Sequence, residues 1–284
     1  MTEGDKGTAF AASADGGILA GWVVGDGPPV LLLHGGPGLR YDYMEPLIAE
    51  LCTEFRVAIF QQRGLEPSTL EGPFTIAQAV EDVVCVLDAL GWSVALVVGH
   101  SWGGHLAFRF AAAHSERLLG MLAVDALGIV GDGGRAAFVA ELLGRAPRVG
   151  RERVLELEEL EKARELTTAE LLEMRRIIWP SYFADPEKAP PMPPFVSSRD
   201  AHMGLTAELG QGIDEVASAL ATGAVRYGVL AGGASPFPWG QAARPAAELS
   251  SSAFLKVVPG AGHFVWHEAP GAVRAELRRL TTSS

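Results

Sequence analysis

Gly99-His100-Ser101-Trp102-Gly103 stands between a predicted strand, Val94–Val98, and a predicted helix, Trp102–His114. A serine on a sharp strand-to-helix turn exposes its hydroxyl to a base, and the flanking glycines let strand and helix approach closely. The bare G-x-S-x-G pattern can arise by chance in a chain with 34 glycines. In this strand–turn–helix setting it predicts that Ser101 is a nucleophile.

Short apolar runs alternate with longer helical patterns on both sides of this turn, which is typical of a largely parallel sheet covered by helices. The other predicted strands are Thr8–Ala12, Ile18–Val24, Pro29–Leu33, Arg56–Phe60, Leu118–Val124, Val225–Leu230 and Phe254–Val258. Thr75-x-x-Gln78 opens a helix that ends at Leu90, and Ala272–Leu280 forms the last helix. The sequence therefore predicts an α/β fold with a mostly parallel sheet and helices on both faces.

This alternation is interrupted between residues 129 and 224. Glu-, Arg- and Leu-rich patterns there fit amphipathic helices, and Thr167-x-x-Glu170 caps one of them. The proline-rich stretch at 189–194 cannot be helix or central strand, because proline lacks the amide donor. We predict a core domain of residues 1–128 and 225–284, with a helical cap of residues 129–224 inserted after the sixth strand.

A glycine-rich loop, His34-Gly35-Gly36-Pro37-Gly38, directly follows the apolar strand Pro29–Leu33. Acyl transfer requires two backbone N–H donors that point at the developing oxyanion. We expect one from Trp102, the residue after the nucleophile, and the other from Gly36. The alternative is a plain glycine-rich turn.

A general base for Ser101 must come from another loop at the same sheet edge, and His263, in Gly260-Ala261-Gly262-His263 after the last strand, meets that requirement. His267 is the competitor, and we expect it either at the surface or in a position that supports the catalytic residues from outside the site. The two histidines are not part of a His-Glu-x-x-His pattern, and no third metal ligand lies at a suitable spacing along the sequence. No metal is therefore predicted. No other cofactor is expected either.

These motifs, in this order, resemble the α/β-hydrolase superfamily. The His34–Gly38 loop and Phe60-Gln61-Gln62-Arg63-Gly64 are similar to the prolyl-iminopeptidase-like branch in particular, although esterases and epoxide hydrolases share them. The resemblance covers nearly the whole chain except the insertion, which lies where that family carries its cap. An epoxide hydrolase or dehalogenase of this superfamily would carry aspartate at the position of Ser101.

The sequence departs from the family pattern in two places. Gln61 and Glu66 replace an aspartate and a glycine of the motif after the fourth strand, a loop that we interpret as architectural. The resemblance also implies a triad acid in a Gly-x-x-Asp-Pro turn after the seventh strand. Here that turn carries Ser235 in place of the acid, and no Asp or Glu lies between Arg226 and Ala247.

The histidine still requires an acceptor that fixes its tautomer, and Asp125 is our candidate. It ends the strand after the nucleophile helix, where some members of the superfamily carry their acid, and it keeps the order Ser101, Asp125, His263. A strand-end aspartate among apolar residues is costly to bury unless it is hydrogen-bonded. The alternative is that Asp125 caps the following turn.

Charge and composition argue against several classes of function. The 284 residues carry a net charge of −11, which argues against nucleic acid or an anionic membrane as partner. No stretch approaches the ~18 apolar residues of a membrane span, and Met1–Gly17 shows no secretory signal pattern. Cys52 and Cys85 form no Cys-x-x-Cys pair. We therefore expect a cytoplasmic protein with a small-molecule substrate, and its oligomeric state is left open.

The prediction is a cofactor-free serine hydrolase acting on a small ester or lactone, with Ser101, His263 and Asp125 as triad and Trp179, Tyr182 and Phe183 lining a pocket beneath the cap. Simple packing of the cap is the alternative for the three aromatic residues. A prolyl aminopeptidase, implied by the branch resemblance, would require cap carboxylates for the substrate's amino terminus. A C–C bond hydrolase or acyltransferase would share the triad, and a non-catalytic ligand receptor would have lost it.

Overall fold

The computed structural model describes residues 7–282. Residues 1–6, which begin the stretch without a secretory signal pattern, and residues 283–284 lie outside the described range. The strands are β1 Thr8–Ala14, β2 Gly17–Val24, β3 Pro29–Leu33, β4 Arg56–Phe60, β5 Ala95–His100, β6 Leu118–Val124, β7 Tyr227–Gly232 and β8 Phe254–Val258.

All of these strands join one sheet in the order β1-β2-β4-β3-β5-β6-β7-β8. The pairs β1–β2 and β2–β4 are antiparallel and the remaining pairs are parallel. The predicted mostly parallel sheet is therefore confirmed. Because parallel strands end at the same edge, the loops after β3, β5, β6, β7 and β8 come together there.

Helices cover both faces of this sheet. They are α1 Glu45–Leu51, α2 Ile76–Ala89, α3 Trp102–Ala113, α4 Arg135–Arg145, α5 Arg148–Ala163, α6 Thr168–Ile178, α7 Arg199–Ala207, α8 Ile213–Thr222, α9 Ala243–Glu248, α10 Val265–Glu268 and α11 Ala272–Thr281. Helices α2, α3 and α9 contribute to the core on one face, and α1 and α11 to the core on the other.

Strand β3 is apolar along its whole length, and its side chains belong to two different cores. Leu31 and Leu33 belong to the core beneath α2 and α3, whereas Val30 and Leu32 belong to the core beneath α1 and α11. A strand with both faces covered has no solvent side, so polar alternation is absent.

Helices α4–α8 lie between β6 and β7, in the stretch that we call the helical segment, residues 129–224. The capping box predicted from Thr167 and Glu170 is present at the start of α6, and the prolines at 189–194 lie outside helix and strand, as predicted. The first three of these helices bury few side chains: Leu142 in α4, Val154 and Leu157 in α5, and Ile178 in α6. No helix within residues 7–282 is both long enough and apolar enough to cross a membrane.

Candidate active site

Ser101 occupies the turn between β5 and α3 with φ 56° and ψ −119°. Among residues 7–282, the only other non-glycine residue with positive φ is Asp125, at φ 42°. Such strained positions persist only where the surroundings enforce them, and they are enriched at functional sites. A Cβ on Gly99 would collide with the Gly103 carbonyl, so the strand-to-helix crossing requires a glycine there.

His263 lies in the loop after β8 and contacts Asp125, which directly follows β6. The distance from His263 Nδ1 to Asp125 Oδ2 is 2.6 Å, and both side chains are buried. Asp125 also accepts a hydrogen bond from the Gly232 N–H at 2.9 Å and one from the Ser235 hydroxyl at 2.5 Å. The serine at the position where the resemblance implies an acid therefore donates to the acid from β6.

The other carboxylates near this loop accept hydrogen bonds from backbone amides instead. Glu268 accepts hydrogen bonds from the Gly262 N–H at 2.6 Å and the Ala184 N–H at 2.9 Å. Asp132 accepts from backbone amides at the start of α4. His267 is exposed. In the described part of the chain, Asp125 is thus the carboxylate that is hydrogen-bonded to His263.

Burial determines the electrostatics of this pair. Burial raises the pKa of Asp125, while the hydrogen bonds from Ser235 and Gly232 lower it. Burial lowers the pKa of His263 below its ordinary value, which favours the neutral imidazole. A neutral imidazole that donates its Nδ1–H to a carboxylate keeps its Nε2 lone pair free to accept a proton.

The hydroxyl of Ser101 and the ring of His263 line the same two cavities. Within residues 7–282 no hydrogen bond joins them. In unliganded enzymes this contact is often long and tightens only with substrate.

Two backbone amides beside Ser101 are available as donors. Gly36 and Trp102 both line the cavity, and neither N–H forms a hydrogen bond with another described residue. Trp102 is the first residue of α3, where helix geometry leaves the amide without a partner. The Gly35 N–H, in contrast, donates to the Tyr43 hydroxyl at 2.6 Å, so it is already engaged.

Tyr43 and His100 connect the loops that carry these groups. The Tyr43 hydroxyl lies 2.9 Å from His100 Nδ1, and His100 Nε2 lies 3.1 Å from the His263 carbonyl oxygen. A proton on Nε2 donates to that carbonyl and leaves Nδ1 to accept from Tyr43. Sequence reasoning missed this network, and the identity of the residue before Ser101 was the one local signal for it.

The loop after β4 is architectural, in line with our interpretation. Gln62 Nε2 donates to the His34 carbonyl, and its Oε1 accepts from the Trp102 indole, both at 2.9 Å. Arg63 forms a buried bidentate pair with Asp82 at 2.6 and 2.7 Å. Gln62 thereby links the glycine-rich loop to the start of α3.

Two cavities have Ser101 in their walls: a smaller chamber of about 130 Å³ and a larger chamber of about 320 Å³. Side chains of the smaller chamber include Tyr43, Trp179, Met192, Phe195 and Phe264. Side chains of the larger chamber include Leu127, Phe138, Leu142, Val154 and Phe237. Both chambers share Arg175, Ile178, Tyr182 and His202 from the helical segment. The space beside the serine is predominantly apolar.

The three aromatic residues predicted to bind substrate differ in placement. Trp179 lines the smaller chamber and Tyr182 lines both. Phe183 does not line either chamber, which corrects the prediction for it. It is 2% exposed and its ring lies 5.1 Å from the Trp179 ring, behind the cavity wall. The chain leaves the 3-10 turn Trp179–Tyr182 in an extended conformation at Phe183, and its side chain joins the core beneath α1 and α11.

A family model described as alpha/beta hydrolase fold matches residues 28–188, more than half of the chain. The chain belongs to the α/β-hydrolase fold family. The predicted superfamily is thereby confirmed, and hydrolase activity is the activity that the family supports.

This α/β-hydrolase matches its curated relatives over only part of their length. Epoxide hydrolase B of Mycobacterium tuberculosis is 37% identical over 102 residues, which is 35% of this chain and 29% of that protein. Less than a third of that relative is therefore matched.

Solved structures resemble this α/β-hydrolase along almost its whole length. VinJ aligns with a TM-score of 0.74 at 21% identity, covering 97% of this chain and 98% of VinJ. The proline iminopeptidase of Mycobacterium smegmatis aligns with a TM-score of 0.69 at 19% identity, covering 96% and 97%. At these identities the likeness concerns the fold alone.

Proposed function

We propose that this chain is a serine hydrolase that cleaves a small carboxylic ester or lactone through an acyl-enzyme. The observation that carries the proposal is the buried 2.6 Å contact between His263 Nδ1 and Asp125 Oδ2, beside a serine held at positive φ. The unused N–H groups of Gly36 and Trp102 support it further, because acyl transfer requires donors for an oxyanion.

In the proposed mechanism, Ser101 Oγ attacks the acyl carbon while its proton passes to His263 Nε2. The negative charge on the former carbonyl oxygen is stabilised by the N–H groups of Gly36 and Trp102, and Asp125 stabilises the imidazolium. His263 then protonates the departing alkoxide, which leaves an ester on Ser101. Water, deprotonated by His263, attacks this ester and releases the carboxylic acid and the free serine.

The nucleophile separates this proposal from epoxide opening. The relative named epoxide hydrolase B is matched over 102 residues only. In the superfamily that reaction calls for aspartate at the nucleophile position, whereas this chain has Ser101. An ester or lactone with an apolar body also suits the walls of the two chambers.

A prolyl aminopeptidase is the second candidate, and one observation favours it. Glu158 of α5 lines the larger chamber, and among the described lining residues it is the carboxylate that comes from the helical segment. A carboxylate in that position could bind a substrate ammonium group. The test below therefore includes an amide substrate.

Ser101→Ala should abolish labelling by a fluorophosphonate probe and lower kcat/KM for 4-nitrophenyl butyrate by about 10⁴-fold or more, because the nucleophile is lost. Ser218→Ala, at an exposed serine on α8, is the matched control and should retain both. Labelling of the Ser101→Ala protein would exclude Ser101 as the nucleophile. Faster cleavage of proline 4-nitroanilide than of the ester, lost in Glu158→Gln, would favour the aminopeptidase.

We also propose a cytoplasmic location. Cys52 and Cys85 are not joined by a disulfide, which suits a reducing compartment.

A further inference from the structure

Arg175 is a cation of the cavity wall that the proposed mechanism does not use. It lies in the last turn of α6, and it lines both the smaller and the larger chamber, as Ser101 does. Arg175 and Ser101 therefore belong to the walls of the same two chambers.

Arg175 differs from five other arginines of the helical segment in having no carboxylate partner among the described residues. Arginines that lie within 3.5 Å of a carboxylate oxygen are Arg145, Arg148, Arg153, Arg164 and Arg199. Within residues 7–282 no ion pair involves Arg175, and its Nε is buried without a hydrogen-bond partner. A guanidinium stays charged at every accessible pH, so burial of an unpaired one carries a substantial desolvation cost.

The surroundings of Arg175 hold the guanidinium at the cavity. Its Cζ lies 4.9 Å from the centre of the Phe195 ring, and Phe195 also lines the smaller chamber. Stacking of this kind leaves the N–H groups at the rim of the guanidinium free to bind a planar anion. His202 lines the same junction, and burial, together with the charge of Arg175, lowers its pKa. A lowered pKa favours the neutral imidazole, which does not compete for an anion.

The other charged groups of the described wall leave Arg175 uncompensated. In the smaller chamber Asp42 is paired with Arg40 at 3.1 Å. In the larger chamber Glu158 and Arg135 carry opposite charges. Within residues 7–282 neither Asp42 nor Glu158 forms an ion pair with Arg175.

We propose that Arg175 binds a carboxylate of the substrate, so that the preferred substrates are acidic esters such as monoesters of dicarboxylic acids. A guanidinium and a carboxylate form two parallel hydrogen bonds, which fixes both distance and orientation. The bound carboxylate would hold the acyl chain with its ester carbonyl at Ser101. This inference rests on the proposed serine hydrolase, and it concerns the substrate class of the same site.

The test compares acidic and neutral esters that share a leaving group. Mono-4-nitrophenyl succinate, glutarate and adipate vary the reach of the carboxylate, and 4-nitrophenyl pentanoate is the neutral partner of the glutarate ester. The wild-type protein should prefer one of the acidic esters over the neutral one. In Arg175→Gln the ratio of the two kcat/KM values should fall by about 10- to 100-fold, because the charge-assisted pair is lost.

Arg176→Gln is the matched control, since Arg176 is the exposed neighbour on the same helix and does not line either chamber. It should leave the ratio unchanged, which separates a local contact from the general charge of α6. Arg175→Lys, which keeps the charge but not the planar fork, should lie between the wild type and Arg175→Gln. Equal losses on acidic and neutral esters in Arg175→Gln would overturn the assignment.

A binding experiment keeps this inference separate from the catalytic proposal. Calorimetry with glutarate on the Ser101→Ala protein requires no turnover. Binding that is weakened at least tenfold by Arg175→Gln and is unaffected by Arg176→Gln would support the carboxylate site even if no ester were cleaved. Glutarate that binds both Arg175 variants as tightly as the parent would refute the site, while fluorophosphonate labelling of Ser101 would still stand for the hydrolase.

Discussion

The edge of the sheet and the helical segment meet at Ser101, but they are built in different ways. At the sheet edge the Asp125 side chain is buried, and its carboxylate is hydrogen-bonded to three donors. In α4–α6 only one or two side chains per helix are buried. Ion pairs of this layer, such as Arg153–Glu173, lie at the surface, where such pairs add little stability.

We infer that the sheet edge and the helical segment have different tasks in the site. Groups that must be aligned to within fractions of an ångström benefit from the dense packing of strand ends and satisfied hydrogen bonds. A wall that must fit a particular substrate can have fewer buried side chains, because changes there do not disturb the sheet. Arg175, whose buried Nε has no described partner, belongs to this second kind of structure.

Among changes to residues that support the nucleophile, the largest effect should follow from Asp125→Asn, at the sheet edge. The amide keeps the shape of the carboxylate but favours the wrong tautomer of His263, so kcat should fall by about 10⁴-fold with little change in stability. Turnover of 4-nitrophenyl butyrate and a thermal melt would measure both. A loss below tenfold would remove Asp125 from the triad.

Ser235→Asp in the Asp125→Asn background sharpens this prediction. Ser235 lies within hydrogen-bond distance of the carboxylate at position 125. We expect partial recovery of turnover if a carboxylate at position 235 can reach His263. Ser235→Asn in the same background is the control and should recover nothing.

The two regions should also differ in what a core truncation costs. Leu277→Ala in α11, at 0% exposure, should lower the free energy of unfolding by about 2–5 kcal/mol. Leu142→Ala in α4 should cost less than half as much, because Leu142 already borders the larger chamber and its removal encloses no new void. Urea denaturation of both variants measures the difference, and equal losses would contradict the contrast.

Ser235→Ala should have a smaller catalytic effect. It removes the hydroxyl that donates to Asp125, a hydrogen bond to a charged group, so kcat should fall by about 10- to 100-fold. An upward shift of the pKa of His263 should accompany the loss, since a carboxylate with one donor fewer attracts the imidazolium more strongly. A fall in kcat without that shift would indicate a structural role only.

The smallest effect concerns pH. The acid limb of kcat/KM reports the pKa of the free base, and burial lowers the pKa of His263 below the ordinary 6.5. Activity should therefore persist below pH 6.5 and disappear only as pH falls through that lowered pKa. The exposed His267→Gln variant should leave the profile unchanged. A limb at or above pH 6.5 would contradict the prediction and indicate that the attraction of the Asp125 carboxylate outweighs the burial of His263.

Local sequence patterns predicted most of the sheet. β3, β4, β6 and β8 have the predicted ends. β5 and β7 begin one and two residues later than predicted, and both end two residues later. Their ends differ because Gly99 and Gly232 pair in the ladder although glycine is typical of loops. Ser101 and His263 could be singled out because their motifs combine glycines with the end of a strand, and those requirements are local.

The remaining parts of the site depend on residues that are far apart in sequence. Tyr43 contacts Gly35 and His100, and no motif marks it. Gln62 lies in the motif after β4, but that motif does not indicate its contacts with His34 and Trp102. Phe183 was misplaced because one change of backbone conformation after a 3-10 turn decides which side of the wall it joins. The sequence around Arg175 likewise does not indicate whether its side chain pairs with a carboxylate or lines a cavity.

The sequence by itself determined the order of strands and helices, the nucleophile turn and the absence of an acid after β7. Only the tertiary structure decided that Ser235 donates to Asp125 and that Arg175 faces the space beside Ser101 without a partner. The physical reason is that turn geometry and hydrophobic periodicity act over a few neighbouring residues. Hydrogen-bond partners and cavity walls are fixed by the packing of elements that are separated by more than a hundred residues, as Asp125 and Ser235 are.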